Sequence, residues 1–306
     1  MLSAVGIIAL MYCNLNYLNT VFNLSTSCKT NNNCSSVFLG IIESSYCFGL
    51  LAVNLFINPV ESVELFNRFN EIVNVPNHVS DKFKVEVFQK IFIFYMLILF
   101  QFLRNCFFDN NKESIIWILK IIMQNVQFAV DGIIVSFCLI LGSSFKGIVY
   151  DLNSDDKNVR RNIATFWDCR ALLRKLNDCY GPALVIVVVF KLLQISGLIY
   201  FYLFSDLKNN WLQFLDICLP LINFILICYS CDRAVIEAQN FVKELRLKHA
   251  EENSSSAIKE EIQDFIYVNK FTTLCITGCN FFVVDMNLLF KISSVIFTYI
   301  VAIVQF

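Results

Sequence analysis

Seven stretches of this 306-residue chain are apolar over about 20 residues, the length at which an α-helix crosses the hydrocarbon core of a bilayer. Hydrophobic residues make up 57% of the sequence and charged residues 16%, which is more apolar surface than a soluble core of this length buries. The apolar runs are continuous rather than alternating, which disfavours a transmembrane β-barrel. We expect an all-α polytopic membrane protein with spans near 1–18, 37–57, 87–105, 115–141, 183–204, 211–231 and 286–306.

Basic residues are unevenly distributed between the connections of these spans. Most of the 24 Lys and Arg residues fall in the second, fourth and sixth connections, whereas the first, third and fifth hold only Lys29, Arg104, Lys112 and Lys208. By the positive-inside rule the basic connections are cytosolic, so we expect a cytosolic N-terminus and an extracellular C-terminus. This orientation is the reverse of that of a G-protein-coupled receptor. The net charge of −1 gives no reason to expect nucleic acid as a partner.

The first of these spans is interrupted by Asn14, Asn16 and Asn19 and starts at Met1. A secretory signal peptide is the alternative interpretation, but the basic start and the small-residue cleavage site of a signal peptide are both missing. We therefore expect a true first span with a short or absent cytosolic leader.

Two cytosolic connections show helical periodicity rather than loop chemistry, so we expect the neighbouring spans to continue into the cytosol as anchor helices. In 158–180 the apolar positions are Val159, Ile163, Phe166, Leu173 and Leu176, and the charged positions opposite them are Arg160, Arg161, Arg170, Arg174 and Asp178. The sixth span continues through Ala234, Ala238, Phe241 and Leu245. A polar break at 251–256 precedes another amphipathic helix with Ile258, Ile262 and Phe265. These stripes indicate packing within the chain, a subunit interface beneath the membrane, or both.

The thirteen Cys residues have no repeated spacing, which is typical of small buried apolar residues. Cys28 and Cys34 are an exception, because they lie between the first two spans beside glycosylation sequons at Asn23 and Asn33. A disulfide and two free thiols both remain open for this pair. Two further pairs have metal-like spacing, Cys228 with Cys231 and Cys275 with Cys279, but the chain has only two His residues. We expect packing there, and no metal or cofactor.

The last span carries a stripe of polar residues at helical spacing. Counting back from Gln305 gives Val301, Thr298 and Ser294, and Tyr299, Val295, Ala302 and Phe306 form a bulkier stripe beside it. Such polar groups either face water or protein, or bond back to their own helix with Gln305 as an interfacial anchor. Asp285 lies where the N-cap of this helix is expected.

The chain ends in the sequence TYIVAIVQF, preceded by Phe281-Phe282-Val283-Val284-Asp285 and Leu288-Leu289. This ending resembles the closing motif of the insect gustatory (taste) receptor family. The resemblance implies a tastant-gated, non-selective cation channel, a homotetramer or a heterotetramer with related subunits, in the plasma membrane of sensory neurons. It also implies one receptor-channel domain: spans and ligand pocket in 1–231, cytosolic anchor helices in 232–285 and a pore helix in 286–306. The implied pore and gate residues are Ser294, Thr298, Tyr299, Val301, Ala302, Gln305 and Phe306.

Polar and aromatic residues within the outer halves of the spans are candidate ligand contacts, because such residues inside a membrane are usually functional. They are Glu43, Tyr46, Gln101, Trp117, Gln124, Gln194, Tyr200, Tyr202, Trp211, Gln213 and Asp216. Carboxylates and amides bind hydroxyls while aromatic faces cover C–H surface, which suits a sugar-like polyol or a bitter alkaloid. Hydrogen bonding between helices is the alternative for each of them. Asp131 and Lys191 are predicted to lie deeper as an interhelical pair, and Pro220 is expected to be the only Pro inside a span.

Three other functional classes fit the sequence less well. A metabotropic seven-helix receptor requires an extracellular N-terminus, which the distribution of basic residues opposes. A secondary transporter favours internal repeats and broken span pairs, and no repeat is visible. A membrane enzyme requires a catalytic constellation, and neither a His cluster nor paired acids at catalytic spacing are visible.

Overall fold

The computed structural model describes residues 115–154, 159–204, 211–250, 256–270 and 274–305, together with helical positions 41, 42, 45, 46, 49, 64, 65, 67–69, 85, 88–92, 95, 96 and 99. For 115–126, 153–154, 201, 203–204, 211–216, 256–257 and 303–304 the backbone alone is described. The continuous helices are α1 (Ile115–Ser154), α2 (Val159–Phe204), α3 (Trp211–Ala250), α4 (Ser256–Lys270) and α5 (Met286–Gln305). A short hairpin of β1 (Thr277–Gly278) and β2 (Phe282–Val283) joins α4 to α5. The described part of the chain is therefore almost entirely helical, as predicted.

The first three helices are longer than a membrane crossing requires. They contain 40, 46 and 40 residues, and a rise of about 1.5 Å per residue makes each roughly twice as long as the ~30 Å hydrocarbon core. Three stretches of the described residues are long and apolar enough to cross a membrane, Gln127–Leu152, Val159–Tyr200 and Ile217–Ala250, and Met286–Ala302 is a shorter apolar helix. The predicted continuation of the spans as helices is confirmed.

The expectation that Pro220 is the only Pro inside a span is wrong. Pro182, which the sequence places just before the fifth span, lies inside the unbroken helix α2. Proline removes one intrahelical hydrogen bond, but a helix packed against its neighbours tolerates that loss. The predicted amphipathic segment 158–180 and the fifth span are thus a single helix.

An aromatic cluster joins the extended ends of the four helices. It consists of Phe145 on α1, Phe166 on α2, Phe241 on α3 and Phe265 on α4, all buried. Phe166 stacks on Phe241 with ring centroids 4.9 Å apart, and Phe265 and Phe145 meet Phe166 at 5.1 and 5.4 Å. The predicted apolar stripes of 158–180, 234–245 and 258–265 therefore form one shared core.

Arg170 departs from the predicted pattern, which placed it on the charged face of 158–180. Its side chain is buried. The guanidinium lies 5.0 Å from the Trp167 ring and donates a hydrogen bond of 2.7 Å to Asn269 Oδ1. A planar guanidinium can be buried in this way because it stacks on an aromatic face and bonds through its edge. Arg160, on the same helix, is exposed and pairs with Glu261 on α4 at 3.1 Å.

The second connection also contacts the extended part of α2. Lys175 Nζ lies 2.5 Å from Glu64 Oε1, and Arg68 lies 3.0 Å from the same oxygen. The ammonium of Lys175 holds the pKa of the Glu64 carboxyl below its usual value, with Arg68 adding to the effect. This contact ties the 64–69 segment to the helical bundle.

The hairpin between α4 and α5 is held by one amide side chain of α2. Asn177 Nδ2 donates to the Cys275 carbonyl at 2.8 Å, and Asn177 Oδ1 accepts from the Thr277 amide at 3.1 Å. The turn is closed by the Phe281 amide bonding the Gly278 carbonyl at 2.9 Å, with φ of 50° at Cys279 and 62° at Asn280. Two successive left-handed residues are typical of a tight hairpin turn. A Cβ on Gly278 would lie 2.6 Å from the Phe282 ring, so any larger residue there would have to displace that ring.

Candidate functional site

Polar side chains from four helical segments meet in the apolar interior. Asp131 on α1, Lys191 on α2 and Asn223 on α3 have exposed fractions of 0%, 1% and 4%. Asn223 Nδ2 donates to Asp131 Oδ2 at 2.6 Å, Lys191 Nζ lies 3.0 Å from the same oxygen, and the Tyr46 hydroxyl donates to Oδ1 at 3.3 Å. We call these four residues the Asp131 cluster. The predicted interhelical pair of Asp131 and Lys191 is confirmed.

The cluster extends by one helical turn to a pair of amides. Gln127 precedes Asp131 by four residues and Gln194 follows Lys191 by three, so each lies on the same helical face as its charged neighbour. Gln127 Nε2 and Gln194 Oε1 are 3.5 Å apart, at the long limit of a hydrogen bond. Polar groups of α1 and α2 thus meet in two successive layers.

Among the residues that the structure describes, two polar atoms of the cluster lack a hydrogen-bond partner. The Lys191 ammonium lies at ion-pair distance from Asp131 but without hydrogen-bond alignment. Asn223 donates through Nδ2, but its Oδ1 receives no donor. Lys191 Nζ also lies 5.6 Å from the Phe128 ring, a cation–π contact that partly offsets the burial of its charge.

The predicted ligand residues fall into three groups. Tyr46 and Gln194 belong to the two polar layers, Tyr46 buried and Gln194 half-buried, whereas Tyr200 is exposed and Tyr202 half-buried near the end of α2. Trp117 and Gln124 lie on α1 and Trp211, Gln213 and Asp216 on α3, where only the backbone is described. Outside the described residues lie Glu43, Gln101, the sequons Asn23 and Asn33, and Cys28 and Cys34.

Sequence reasoning missed Gln127 and Asn223. Asn223 is a single polar residue within an apolar helical run, and Gln127 lies one helical turn before Asp131; both are usable signals for a buried contact. Which helix lies opposite, and hence which partner each residue meets, depends on the packing of α1, α2 and α3.

Helix α5 contacts the rest of the protomer along a narrow face. Leu289, Ile292 and Ile296 are 7–8% exposed, whereas Ser294, Thr298 and Gln305 are exposed on nearly the opposite side. Tyr299, Val295, Val301 and Ala302 are exposed as well, and Phe306 lies outside the described residues. The Thr298 hydroxyl donates a hydrogen bond of 2.9 Å to the Ser294 carbonyl. Thr298 therefore bonds back to its own helix, as one of the two alternatives predicted, and its side chain is also exposed.

Asp285 sets the beginning of α5. Its Oδ1 accepts a hydrogen bond of 2.8 Å from the Leu288 amide, two residues after the helix starts at Met286. This is the contact of an N-cap, so the predicted cap is confirmed.

Cysteine side chains in the described part of the chain are free thiols. Cys138 on α1 and Cys231 on α3 are buried with sulfurs 3.6 Å apart. Nearby, a Cβ on Gly142 would lie 3.3 Å from Ala234 Cα, so α1 and α3 approach closely there. Among the described residues, no group of three or more His, Cys, Asp or Glu side chains is arranged to hold a metal ion.

Comparison with known proteins identifies relatives across the length of the chain. A family model described as 7tm Chemosensory receptor matches residues 2–306. The insect olfactory receptor OR5 from Machilis hrabei is similar in fold, with a TM-score of 0.73 and 14% identity over 99% of this chain and 89% of that chain. Its structure in complex with eugenol gives a TM-score of 0.66 and 15% identity over 98% and 89%. No curated protein matches the chain.

Proposed function

Because this chain belongs to the 7tm chemosensory receptor family, we propose that it is a gustatory receptor subunit that forms a tastant-gated, non-selective cation channel in the plasma membrane of sensory neurons. The assembly is a homotetramer or a heterotetramer with related subunits. The gustatory subtype is supported by the closing residues TYIVAIVQF. A small-molecule ligand is supported by the likeness to OR5, which has been solved with eugenol.

The observation that carries the proposal is the polar face of α5. Ser294, Thr298 and Gln305 lie on an apolar helix but point away from its contacts within the protomer. Polar groups that face lipid are costly, whereas a water path or a partner helix satisfies them. Four copies of α5 around an axis give these residues that environment.

The proposed conduit combines hydroxyl groups with apolar rings. Ser294, Thr298 and Val301 line it, and it narrows at Gln305 and Phe306, with Tyr299 and Ala302 beside them. An apolar constriction of this kind gates by dewetting. The stripe carries no acidic residue, so side chains there do not select sharply among cations.

The ligand in this proposal enters the outer half of α1, α2 and α3, among the candidate contacts Glu43, Tyr46, Gln101, Trp117, Gln124, Gln194, Tyr200, Tyr202, Trp211, Gln213 and Asp216. This assignment uses the orientation derived from the basic residues, with the C-terminus outside. Pro220 lies within α3, where a kink can couple closure of the pocket to α5.

Reconstitution tests the channel directly. The purified protein, in liposomes that contain no G protein, is expected to give cation currents in response to members of a panel of sugars and bitter compounds. Electron microscopy of the same preparation is expected to show four-fold or pseudo-four-fold symmetry. A folded tetramer that stays silent across the panel would contradict the gating proposal, and a monomeric particle would contradict the pore.

A further inference from the structure

We propose that the Asp131 cluster is a binding subsite for a hydroxyl group on a neutral small molecule. This inference deepens the proposed function and rests on it in one respect, namely that a small ligand enters among α1, α2 and α3. It assigns the deepest contact of that ligand to Asn223 and Lys191, and it specifies the chemical class that those two residues accept.

Two atoms of the Asp131 cluster have unused hydrogen-bonding capacity. Both oxygens of Asp131 are in contact with the cluster, because Tyr46 donates to one of them while Asn223 and Lys191 lie beside the other. Within the part of the chain that the structure describes, Asn223 Oδ1 is an acceptor without a donor, and Lys191 Nζ is a donor without an aligned acceptor. A buried polar atom without a partner costs about 1–3 kcal/mol, so an incoming group that satisfies both atoms is stabilised there.

The side chains of Asn223 and Lys191 meet at the same carboxylate oxygen. Asn223 Nδ2 and Lys191 Nζ both contact Asp131 Oδ2, at 2.6 and 3.0 Å. The side chains that carry the unused acceptor and the unused donors therefore converge on one oxygen atom. A hydroxyl can donate to Asn223 Oδ1 and accept from Lys191 at once, whereas a carboxylate only accepts and an ammonium only donates.

The Asp131 cluster carries no net charge. Asp131 and Lys191 are both buried and cancel each other, and Tyr46, Asn223, Gln127 and Gln194 add none when neutral. A charged ligand would bring an uncompensated charge into an apolar interior, which is expensive. The subsite therefore favours a neutral alcohol or polyol over a cationic alkaloid, and it separates the two ligand classes that the sequence left open.

Four probes of one skeleton test this chemistry: benzyl alcohol, toluene, benzoate and benzylammonium. Binding is measured by titration of the purified full-length protein in nanodiscs. We expect benzyl alcohol to bind about ten-fold more tightly than each of the other three, since one satisfied buried pair is worth about 1.4 kcal/mol or more. Partitioning into the lipid is the same for every protein variant, so comparison between variants isolates the protein site.

Asn223→Leu removes the unused acceptor and is expected to reduce the preference for the alcohol to less than about three-fold. Ser143→Ala is the matched control, because the Ser143 hydroxyl is also buried on α1 without a partner but lies more than three helical turns from Asp131. This control is expected to retain the full preference. Should Asn223→Leu fail to fold, a density map of the unmodified protein with benzyl alcohol is expected to show the hydroxyl between Asn223 and Lys191.

Three results would overturn the inference: equal binding of the alcohol and toluene, binding of none of the four probes, or a preference that survives in Asn223→Leu. Tighter binding of benzylammonium than of the alcohol would also overturn it, since it would indicate a net negative site. These measurements require no current. If the protein prefers benzyl alcohol over the other probes but gives no ligand-evoked current, the subsite is supported and the channel is contradicted. If it gives currents but binds the four probes equally, the channel is supported and the subsite is contradicted.

Discussion

At the scale of single residues, we expect the largest effects on stability from substitutions of buried charged residues and of helix caps. Asp131 and Lys191 neutralise each other's charge inside an apolar interior, so neither can be removed alone without leaving an unpaired charge. Asp285 has a smaller but sharply localised effect, because it bonds one amide at the start of the last helix.

Lys191→Met leaves the Asp131 carboxylate buried without its counter-ion. We expect a loss of about 3–5 kcal/mol in the free energy of unfolding, seen as a large drop in thermal stability of the purified protein. The double variant Lys191→Met with Asp131→Asn has no buried charge and retains an acceptor for Tyr46 and Asn223. It is expected to recover most of the loss, and a double variant no more stable than the single one would contradict the ion pair.

Asp285→Ala removes the N-cap of α5 and is expected to cost about 1 kcal/mol at the start of that helix. Hydrogen exchange of the Leu288 amide should rise several-fold. Asp285→Asn is the control, because asparagine caps about as well as aspartate. Unchanged exchange at Leu288 in the alanine variant would show that the cap contributes nothing.

Interactions between residues that are close in sequence could be predicted, whereas most interactions between distant helices could not. The Asp285 cap involves neighbours in sequence, and the pairing of Asp131 with Lys191 follows from the cost of unpaired charge in a membrane, so both were predicted correctly. Burial of Arg170 depends on Trp167 and on Asn269 of a distant helix. The contact of Asn223 with Asp131 depends on which faces of α1 and α3 meet, which a single sequence does not specify.

At the scale of elements, the hairpin is the structural link between α2 and the last helix. Asn177 on α2 bonds the Cys275 carbonyl and the Thr277 amide, which lie just before the turn. A Cβ on Gly181 would lie 3.2 Å from the Cys279 amide nitrogen, so α2 also packs closely against the turn itself. The first strand is buried, while Phe281 at the turn is 82% exposed. The hairpin that leads into α5 is therefore fixed to α2 by side-chain hydrogen bonds and close backbone packing.

Asn177→Leu removes two hydrogen bonds to the hairpin and leaves the Cys275 carbonyl and the Thr277 amide unsatisfied. We expect a cost of about 1–3 kcal/mol for each group. The measurement is hydrogen exchange across 274–285, which should increase while exchange in α1 stays unchanged. Asn240→Leu is the control, since Asn240 is exposed and donates a hydrogen bond to Glu237 on its own helix α3. Equal exchange in the two variants would contradict a stabilising role of Asn177 in the hairpin.

The long helices were predictable and the hairpin was not. Apolar runs and amphipathic stripes indicated that the spans continue as longer helices, and α1, α2 and α3 do so. The unbroken helix α2 joins the predicted segment 158–180 to the fifth span through Pro182, because tertiary packing tolerates the loss of the hydrogen bond that proline removes. The hairpin depends on left-handed backbone at Cys279 and Asn280, and cysteine gives no signal for that conformation.

At the scale of the whole molecule, the aromatic cluster of Phe145, Phe166, Phe241 and Phe265 holds α1, α2, α3 and α4 together. Phe241→Ala is expected to cost about 3–5 kcal/mol, because the ring packs between Phe166 and Phe265. Thermal unfolding of the purified protein measures this loss. Leu247→Ala, an exposed position on the same helix, is expected to change stability by about 0.5 kcal/mol at most. Similar stability of the two variants would contradict a shared core.

In the proposed pore, the polar face of α5 borders water, and cysteine accessibility at two positions distinguishes this face from the packed one. Thr298→Cys places a thiol on the proposed pore face, and Ile296→Cys places one on the face packed against the protomer. A charged methanethiosulfonate is applied during ligand-evoked current, with the unmodified channel as the background. We expect rapid modification and a changed current for Thr298→Cys and none for Ile296→Cys. No modification of Thr298→Cys in a conducting channel, or equal modification at both positions, would contradict it.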